Sequence, residues 1–281
     1  MTTAPAVDLL GTAMVDFAAG RRSPVWLRVG SGRRLTHDLA AYFAPVTAQE
    51  RALLDLVEEP VLDVGCGPAR HARLLQARGL TAIGLDRSLL ALGLARALGL
   101  RHWVHDDACS GPLPPARTAL LLDGNLGLAG TPASAARLLH RLATACGPGG
   151  RLLLSGRAPR HGRLRPMVVR DEYRDQVGPW GRWLQAGLPA VLDLAHPAGW
   201  RLRYAAIVGS DYWAALSLDA CAAWAHRDPS LDADCHRSGR APVIWPTSIR
   251  WPSGSRMQQR ISRPWSLGGV RNTAPLERHS W

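Results

Sequence analysis

Val61-Leu62-Asp63-Val64-Gly65-Cys66-Gly67-Pro68 is the stretch on which the fold turns. An apolar run of strand length ends in two glycines one residue apart, and Ala69 to Arg78 follows as an amphipathic helix stopped by Gly79. Glycines let a backbone pass close to a ligand, and the helix beyond them offers free N–H groups. The same rhythm continues downstream. Thr81 to Leu85 reads as a strand ending at Asp86, which lies 23 residues after Asp63, and Ser88 to Leu98 as a helix with Gly99 as its stop. Arg101 to Val104 is a third strand before His105-Asp106-Asp107-Ala108, and Ala119 to Leu122 a fourth before Asp123-Gly124-Asn125. Pro132 to Ala145 is a helix closed by Cys146-Gly147-Pro148-Gly149-Gly150, and Arg151 to Ser155 a fifth strand. Strands and helices alternating at this spacing predict βαβ units: an α/β, doubly wound, mostly parallel sheet with helices on both faces.

The flanks are less regular. Residues 1–46 read as a helical lead-in, with Val7 to Ala19 one helix and Leu35 to Val46 another. Thr47 with Glu50 forms a capping box that starts a helix and opens a domain spanning 47–217. The basic stretch Arg157 to Arg174 reads as a loop or lid, and Leu184 to Ala198 as a helix. Trp200 to Val208 and Tyr212 to Leu216 flank Gly209-Ser210-Asp211 as a hairpin. Residues 218–281 form a basic tail rich in Pro, Ser, Arg and Trp, whose composition predicts poor order.

Composition narrows the classes. The 281 residues carry 34 basic side chains, all Arg, against 22 acids, for a net charge of +12; 47% are hydrophobic, an ordinary globular mixture. A GC-rich coding background explains Arg without Lys, so the charge permits an anionic partner without arguing for one. The five cysteines form no Cys-x-x-Cys pair, so zinc and thioredoxin-like readings lack their signature. No basic-then-apolar leader and no membrane-length apolar run stand in the chain, and the expectation is a cytoplasmic protein with reduced thiols.

The glycine turn carries the chemistry. A carboxylate at Asp86 can accept hydrogen bonds from both hydroxyls of a ribose at the carboxyl ends of parallel strands. Nicotinamide or flavin binding wants Gly-x-Gly-x-x-Gly around a pyrophosphate, whereas here the third glycine is Arg70, bulky where helix and strand should touch. Asp63 would repel a pyrophosphate; it suits orienting the turn or meeting a cationic, amino-acid-like ligand.

On these residues the sequence resembles the class I S-adenosylmethionine-dependent methyltransferases. The family's acid-x-Gly-x-Gly turn is matched by Asp63, Gly65 and Gly67, and its ribose acid by Asp86. Asp107-Ala108 before Leu113-Pro114 is similar to its adenine-side element, with Asp106 the rival by one position. Gly147-Pro148-Gly149-Gly150 resembles the turn that leads into its fifth strand. The resemblance covers about Thr47 to Leu216 and implies a seven-stranded Rossmann-like sheet with a terminal antiparallel hairpin. It implies S-adenosylmethionine as cofactor, held by Asp63, Gly65, Cys66, Gly67, Asp86, Arg87, Asp107, Ala108 and Asp123, and no metal. Each acid also has an ordinary reading. Asp63 can cap the turn and Asp86 can be a solvated strand-end acid. Asp107 can be a helix cap, and Asp123 can belong to a turn with Gly124-Asn125. Cys66 reads as a small filler, with no basic neighbour to activate it.

The reaction implied is methyl transfer to an acceptor held in line, with a general base needed only for a protonated acceptor. His102 and His105 are the histidines nearest the motifs, though a histidine beside a strand is more often structural. Asp123-Gly124-Asn125-Leu126 stands where methyltransferases of DNA exocyclic amines carry a Pro-Pro element, and no Pro-Cys nucleophile follows that strand. A small-molecule acceptor is expected. The alternatives are protein, RNA docked on Arg157–Arg174, or a non-catalytic nucleotide-binding protein of the same fold. RNA binding would be strongly salt-dependent.

Overall fold

The computed structural model describes residues 7–159 and 163–219. In chain order its elements are α1 (Leu9–Ala18), β1 (Val25–Val29), β2 (Arg34–Thr36), α2 (Ala48–Leu54), β3 (Val61–Val64), α3 (Arg70–Ala77), β4 (Ala82–Asp86), α4 (Leu89–Ala97), β5 (Trp103–His105), β6 (Thr118–Leu121), α5 (Pro132–Cys146), β7 (Arg151–Arg157), β8 (Leu164–Tyr173), β9 (Gln176–Val177), β10 (Gly181–Ala186), α6 (Leu188–Ala195), β11 (Trp200–Val208) and β12 (Asp211–Leu218). Short 3-10 turns cover Leu39–Tyr42, Asn125–Ala129 and His196–Ala198.

Seven strands form one sheet in the order β11-β12-β7-β6-β3-β4-β5. Pairing is parallel from β7 to β5 and antiparallel at β7–β12 and β12–β11. The order of strand addition reverses between the parallel neighbours β3 and β6, which puts the ligand cleft at the carboxyl ends of these two strands. Alternate residues of each strand feed two cores. Leu62, Leu121, Leu152 and Leu154 face α5 and α6, while Val61, Leu120 and Leu153 face α2, α3 and α4. Burial on both faces is why these strands read as unbroken apolar runs. Trp200 is fully buried against α5, where its indole N–H donates to the Leu139 carbonyl at 2.9 Å.

A second, antiparallel sheet runs β10-β8-β1-β2, with β9 paired to β8. Its strands come from two distant places, the N-terminal hairpin β1–β2 and the segment between β7 and α6. Three expectations change accordingly. The lead-in is not wholly helical, because α1 is followed by a hairpin. The described part of Arg157–Arg174 is a strand rather than a loop or lid. The helix expected over Leu184–Ala198 begins at Leu188, its first residues belonging to β10. In each case a strand-period pattern was masked by outward Arg side chains, as in Val25-Trp26-Leu27-Arg28-Val29. The capping box at Thr47 and Glu50 is formed as expected. The tail expected over 218–281 lies, from residue 220 on, outside the described residues.

The second sheet is fastened to the first. Helix α1 packs between β8 and α4, with Leu9, Ala13 and Met14 in one core with Val25, Tyr173 and Ala91. The hydroxyl of Tyr173 donates to Asp16 of α1 at 2.8 Å. From β10, Trp183 lies so close on Gly127 that a Cβ there would be 2.3 Å from the ring. The inner face of this sheet therefore covers the carboxyl-end loop after β6.

Candidate active site

The glycine turn is built from left-handed backbone. Gly65 and Gly67 have φ of +69° and +54°, and Ala69, just before α3, takes φ +60°. A side chain on Gly65 would collide with Leu128 and Asn125 at 2.6 and 2.9 Å, so that glycine is demanded by the protein itself. A Cβ on Gly67 would meet only Tyr42, at 3.8 Å, so this glycine leaves open room.

Asp63 sits under the turn, 1% exposed, and accepts from the Ala72 N–H at 3.2 Å. Burial pushes its carboxyl up; His71 and that N–H act the other way. It supports α3 from below and does not line the open cleft, which favours the orienting role among those weighed for it. Asp86 is at the cleft. One oxygen accepts from the Gly67 N–H and the other from the Ser88 N–H, both at 2.8 Å. Burial again raises the carboxyl against these two bonds. Each oxygen keeps a lone pair for a further donor.

The loop after β5 lies beside Asp86, since the Asp106 N–H donates to the Asp86 carbonyl at 3.2 Å. Asp106 folds back onto its own loop and caps the Asp107 N–H at 2.8 Å, while Asp107 is exposed and caps Cys109 at 2.7 Å. Of the two rivals, Asp107 is thus the more open. Ala108 is buried, and its carbonyl is held at 2.6 Å by Arg141 of α5. Arg87 is exposed; its carbonyl bonds the His105 ring at 3.0 Å, which gives His105 a bracing role beside the cleft. Cys66 is buried and its thiol pushed up by that burial, as befits a filler.

Asp123, two residues beyond β6, has φ +55°. Its carboxylate, 55% exposed, pairs with Arg70 at 3.0 Å. Arg70 also pairs with buried Glu50, which accepts from the Thr47 N–H at 2.7 Å and lies 3.3 Å from His71. Burial opposes the charge on Glu50, yet His71, Arg70 and Thr47 hold its carboxyl well below the usual carboxylate range. The bulk of Arg70, expected to wedge helix from strand, instead points sideways into this ion-pair network. Glu50, His71 and Asp123 lie close enough together to suggest cation ligands, but the Arg70 guanidinium already bridges Glu50 and Asp123.

Sequence reasoning missed several residues here. Asn125 donates to the carbonyls of Val64 and Gly65 at 2.8 and 2.9 Å, locking the β6 loop to the glycine turn. Tyr42 covers Gly67, and its hydroxyl is pushed up to about 12 by burial and by the nearby Asp171, Asp123 and Asp86. His37 bonds Asp171 at 3.1 Å. Only Asn125 left a signal, in the turn already noted. Tyr42, His37 and Asp171 are brought in by the second sheet.

Four arginines of the basic stretch 157–174 have acidic partners, two of which are shared: Glu172 with Arg28 and Arg34, and Asp16 with Arg21. Arg157 pairs with Asp211 at 2.6 Å, Arg163 with Asp193 at 2.5 Å, Arg170 with Glu172 at 3.3 Å, and Arg174 with Asp16. Among the described residues no helix is long and apolar enough to cross a membrane.

Residues 61–150 match the family model described as a methyltransferase domain. No curated protein matches the chain by sequence. Among solved structures, a SAM-dependent methyltransferase from Bacteroides fragilis in complex with S-adenosyl-L-homocysteine is similar with a TM-score of 0.68 and 19% identity, over 78% of this chain and 98% of that one. An S-adenosylmethionine-dependent methyltransferase from Clostridium acetobutylicum aligns with a TM-score of 0.51 and 10% identity, over 65% and 95% of the two chains. The CcbJ methyltransferase from Streptomyces caelestis aligns at 0.50 and 16%, over 64% and 92%. The chain is therefore a transferase with a methyltransferase domain, and its Rossmann-like fold is that of the class I S-adenosylmethionine-dependent methyltransferases.

Proposed function

We propose that the chain methylates a small-molecule acceptor, with S-adenosylmethionine as the methyl donor. When bound, that cofactor supplies a methyl group on a positively charged sulfur. The residues fit it. Gly67 leaves room against the turn, Asp86 presents two oxygens with spare lone pairs, and Asp107 with Ala108 closes the adenine side. Asp63 and Asp86 are carboxylates whose burial is not fully offset by their bonds, so a cationic ligand is favoured nearby. Gly65 and Cys66 shape the turn, Arg87 flanks Asp86, and Asp123 stands opposite, where it can reach ligand or acceptor.

The Asp86 carboxylate, clamped between the N–H groups of Gly67 and Ser88, is the observation that carries this reading. What supports a small acceptor is that protein already packs on both loops: Trp183 of the second sheet lies on Gly127 after β6, and Tyr42 stands against Gly67 after β3. The free thiols of Cys66, Cys109 and Cys146 support a cytoplasmic setting. Calorimetric titration with S-adenosylhomocysteine and with NAD is the test. Binding of the former alone is expected; binding of NAD instead would move the chain to the oxidoreductases.

A further inference from the structure

We propose that His37 and Asp171 form the proton-accepting site for an amine acceptor above the glycine turn. This rests on the methyl-transfer reading and adds to it the substrate class and the residue that receives the proton.

Three contacts place the pair. In the second sheet Asp171 lies opposite Leu27, and Leu27 opposite Leu35. Val25 and Tyr173, two positions along, share that face and are buried in the core with α1, so the face is the inner one. His37 follows β2; its N–H donates to the Val25 carbonyl at 2.9 Å, and its Nε2 is 3.1 Å from Asp171 Oδ1. Tyr42, on the next turn of chain, stands against Gly67. Asp171, Asp123 and Asp86 all lie near enough to the Tyr42 hydroxyl to add to the effect of burial and raise it. In a chain with a net charge of +12 these three acids gather locally; Asp123 is paired with Arg70, while Asp86 accepts only from backbone N–H groups.

The chemistry follows from the atoms available. Bonding to Asp171 favours the tautomer with the proton on Nε2, which leaves the Nδ1 lone pair as a base. Nδ1 has no hydrogen-bond partner among the described residues. A basic amine reaches the site as an ammonium ion, drawn by the carboxylates, and has no lone pair until it loses a proton. One proton then passes from the ammonium nitrogen to Nδ1. The N–H bonding pair stays on nitrogen as its lone pair, and the imidazolium formed faces Asp171. No other bond changes in this step. A carboxylate, phosphate or phenolate acceptor would instead meet like charge. Asp171 is a positioning residue, acting through His37.

The test uses the full chain saturated with S-adenosylhomocysteine and labelled with nitrogen-15 at histidine. The probe is n-butylamine, with n-butanol and butyrate as controls. Nuclear magnetic resonance should show His37 protonated on Nε2, and only butylamine should move its signals saturably. Asp171→Asn should weaken butylamine binding about tenfold, the scale of one charge-assisted hydrogen bond, and alter the His37 tautomer signature. Its affinity for S-adenosylhomocysteine should stay unchanged. If that variant does not fold, His37→Asn gives the same comparison through the broadening of butylamine's own signals. A proton on Nδ1, an equal response to butanol, or no response to butylamine with S-adenosylhomocysteine bound overturns this proposal alone. Failure of S-adenosylhomocysteine to bind the unmutated protein overturns the methyl-transfer reading, and this one with it.

Discussion

The carboxylate of Asp86 accepts the backbone N–H of Gly67 at 2.8 Å, so the acid that ends β4 and the turn that follows β3 form one rigid unit. Its other oxygen takes the Ser88 N–H. Both neighbours are donors, which sets the outcome of substitution. Asp86→Asn places an amide NH2 against an N–H whichever way it turns, so it should be as harmful as Asp86→Ala. Each should weaken S-adenosylhomocysteine binding by about 1.5–3 kcal/mol in calorimetry, the range for lost hydrogen bonds to a charged group. Near-normal affinity in Asp86→Asn would show that its charge and double acceptance are not what holds the ligand.

Glu50 ties α2 to α3 and, through Arg70, to the end of β6. Removing one partner of a buried pair strands the other, so Glu50→Gln should destabilise the fold by about 3–5 kcal/mol in denaturant unfolding. The pH dependence has a definite sign. The folded-state value lies below the ordinary 4.5, so this contribution is fully present above about pH 4.5 and fades as pH falls toward the folded value. The stability gap between the unmutated protein and Glu50→Gln should therefore narrow on acidification below that point. A gap constant from pH 7 to pH 3 would show that the charge on Glu50 is not stabilising.

How much of this was legible in the sequence depended on where each pattern found its partner. Strands β3, β4, β6 and β7 are buried on both faces, so their apolar runs stand out in any window, and the acids at their ends mark the cleft. The capping box at Thr47 is likewise a local rule. The second sheet is different. Its strands β1 and β8 lie more than a hundred residues apart, and each alone is a short basic segment. Their alternation gains meaning only when Arg28, Arg34 and Arg170 gather around Glu172 on the outer face, where they hold its carboxyl down at about 2. Because that pairing was invisible, so were Tyr42, His37 and Asp171, whose roles depend on that sheet. Arg70 was seen but misread, since the sequence does not say which way a long side chain points.

The two glycines of the turn separate folding from binding. Gly65→Ala adds strain at positive φ and drives a Cβ into Leu128 and Asn125, a crowding that should cost about 1–3 kcal/mol of stability. Gly67→Ala has space, so its stability loss should stay near the roughly 1 kcal/mol of the left-handed backbone itself. Its methyl group, however, occupies the face left open to ligand. Thermal melting should therefore rank Gly65→Ala as the less stable variant. Calorimetry should show Gly67→Ala folded and impaired in S-adenosylhomocysteine binding. Normal binding by Gly67→Ala would place the ligand elsewhere than against this turn.

Asp8 links the start of α1 to the start of α4. One oxygen accepts from the Gly11 N–H at 2.8 Å as the helix cap, and the other takes the Ser88 hydroxyl, which itself caps Ala91 at 2.9 Å. Asp8→Ala removes the cap of α1 and a brace of α4, which should cost about 1–2 kcal/mol of stability. Binding should respond differently. Asp8 is a like charge near Asp86 and helps raise its carboxyl, while the clamps from Gly67 and Ser88 N–H do not involve Asp8. Removing it makes the ionised form of Asp86 easier to keep, so the variant should melt earlier yet bind S-adenosylhomocysteine with undiminished affinity. A fall in affinity parallel to the fall in stability would show that α1 also sets the geometry of Asp86.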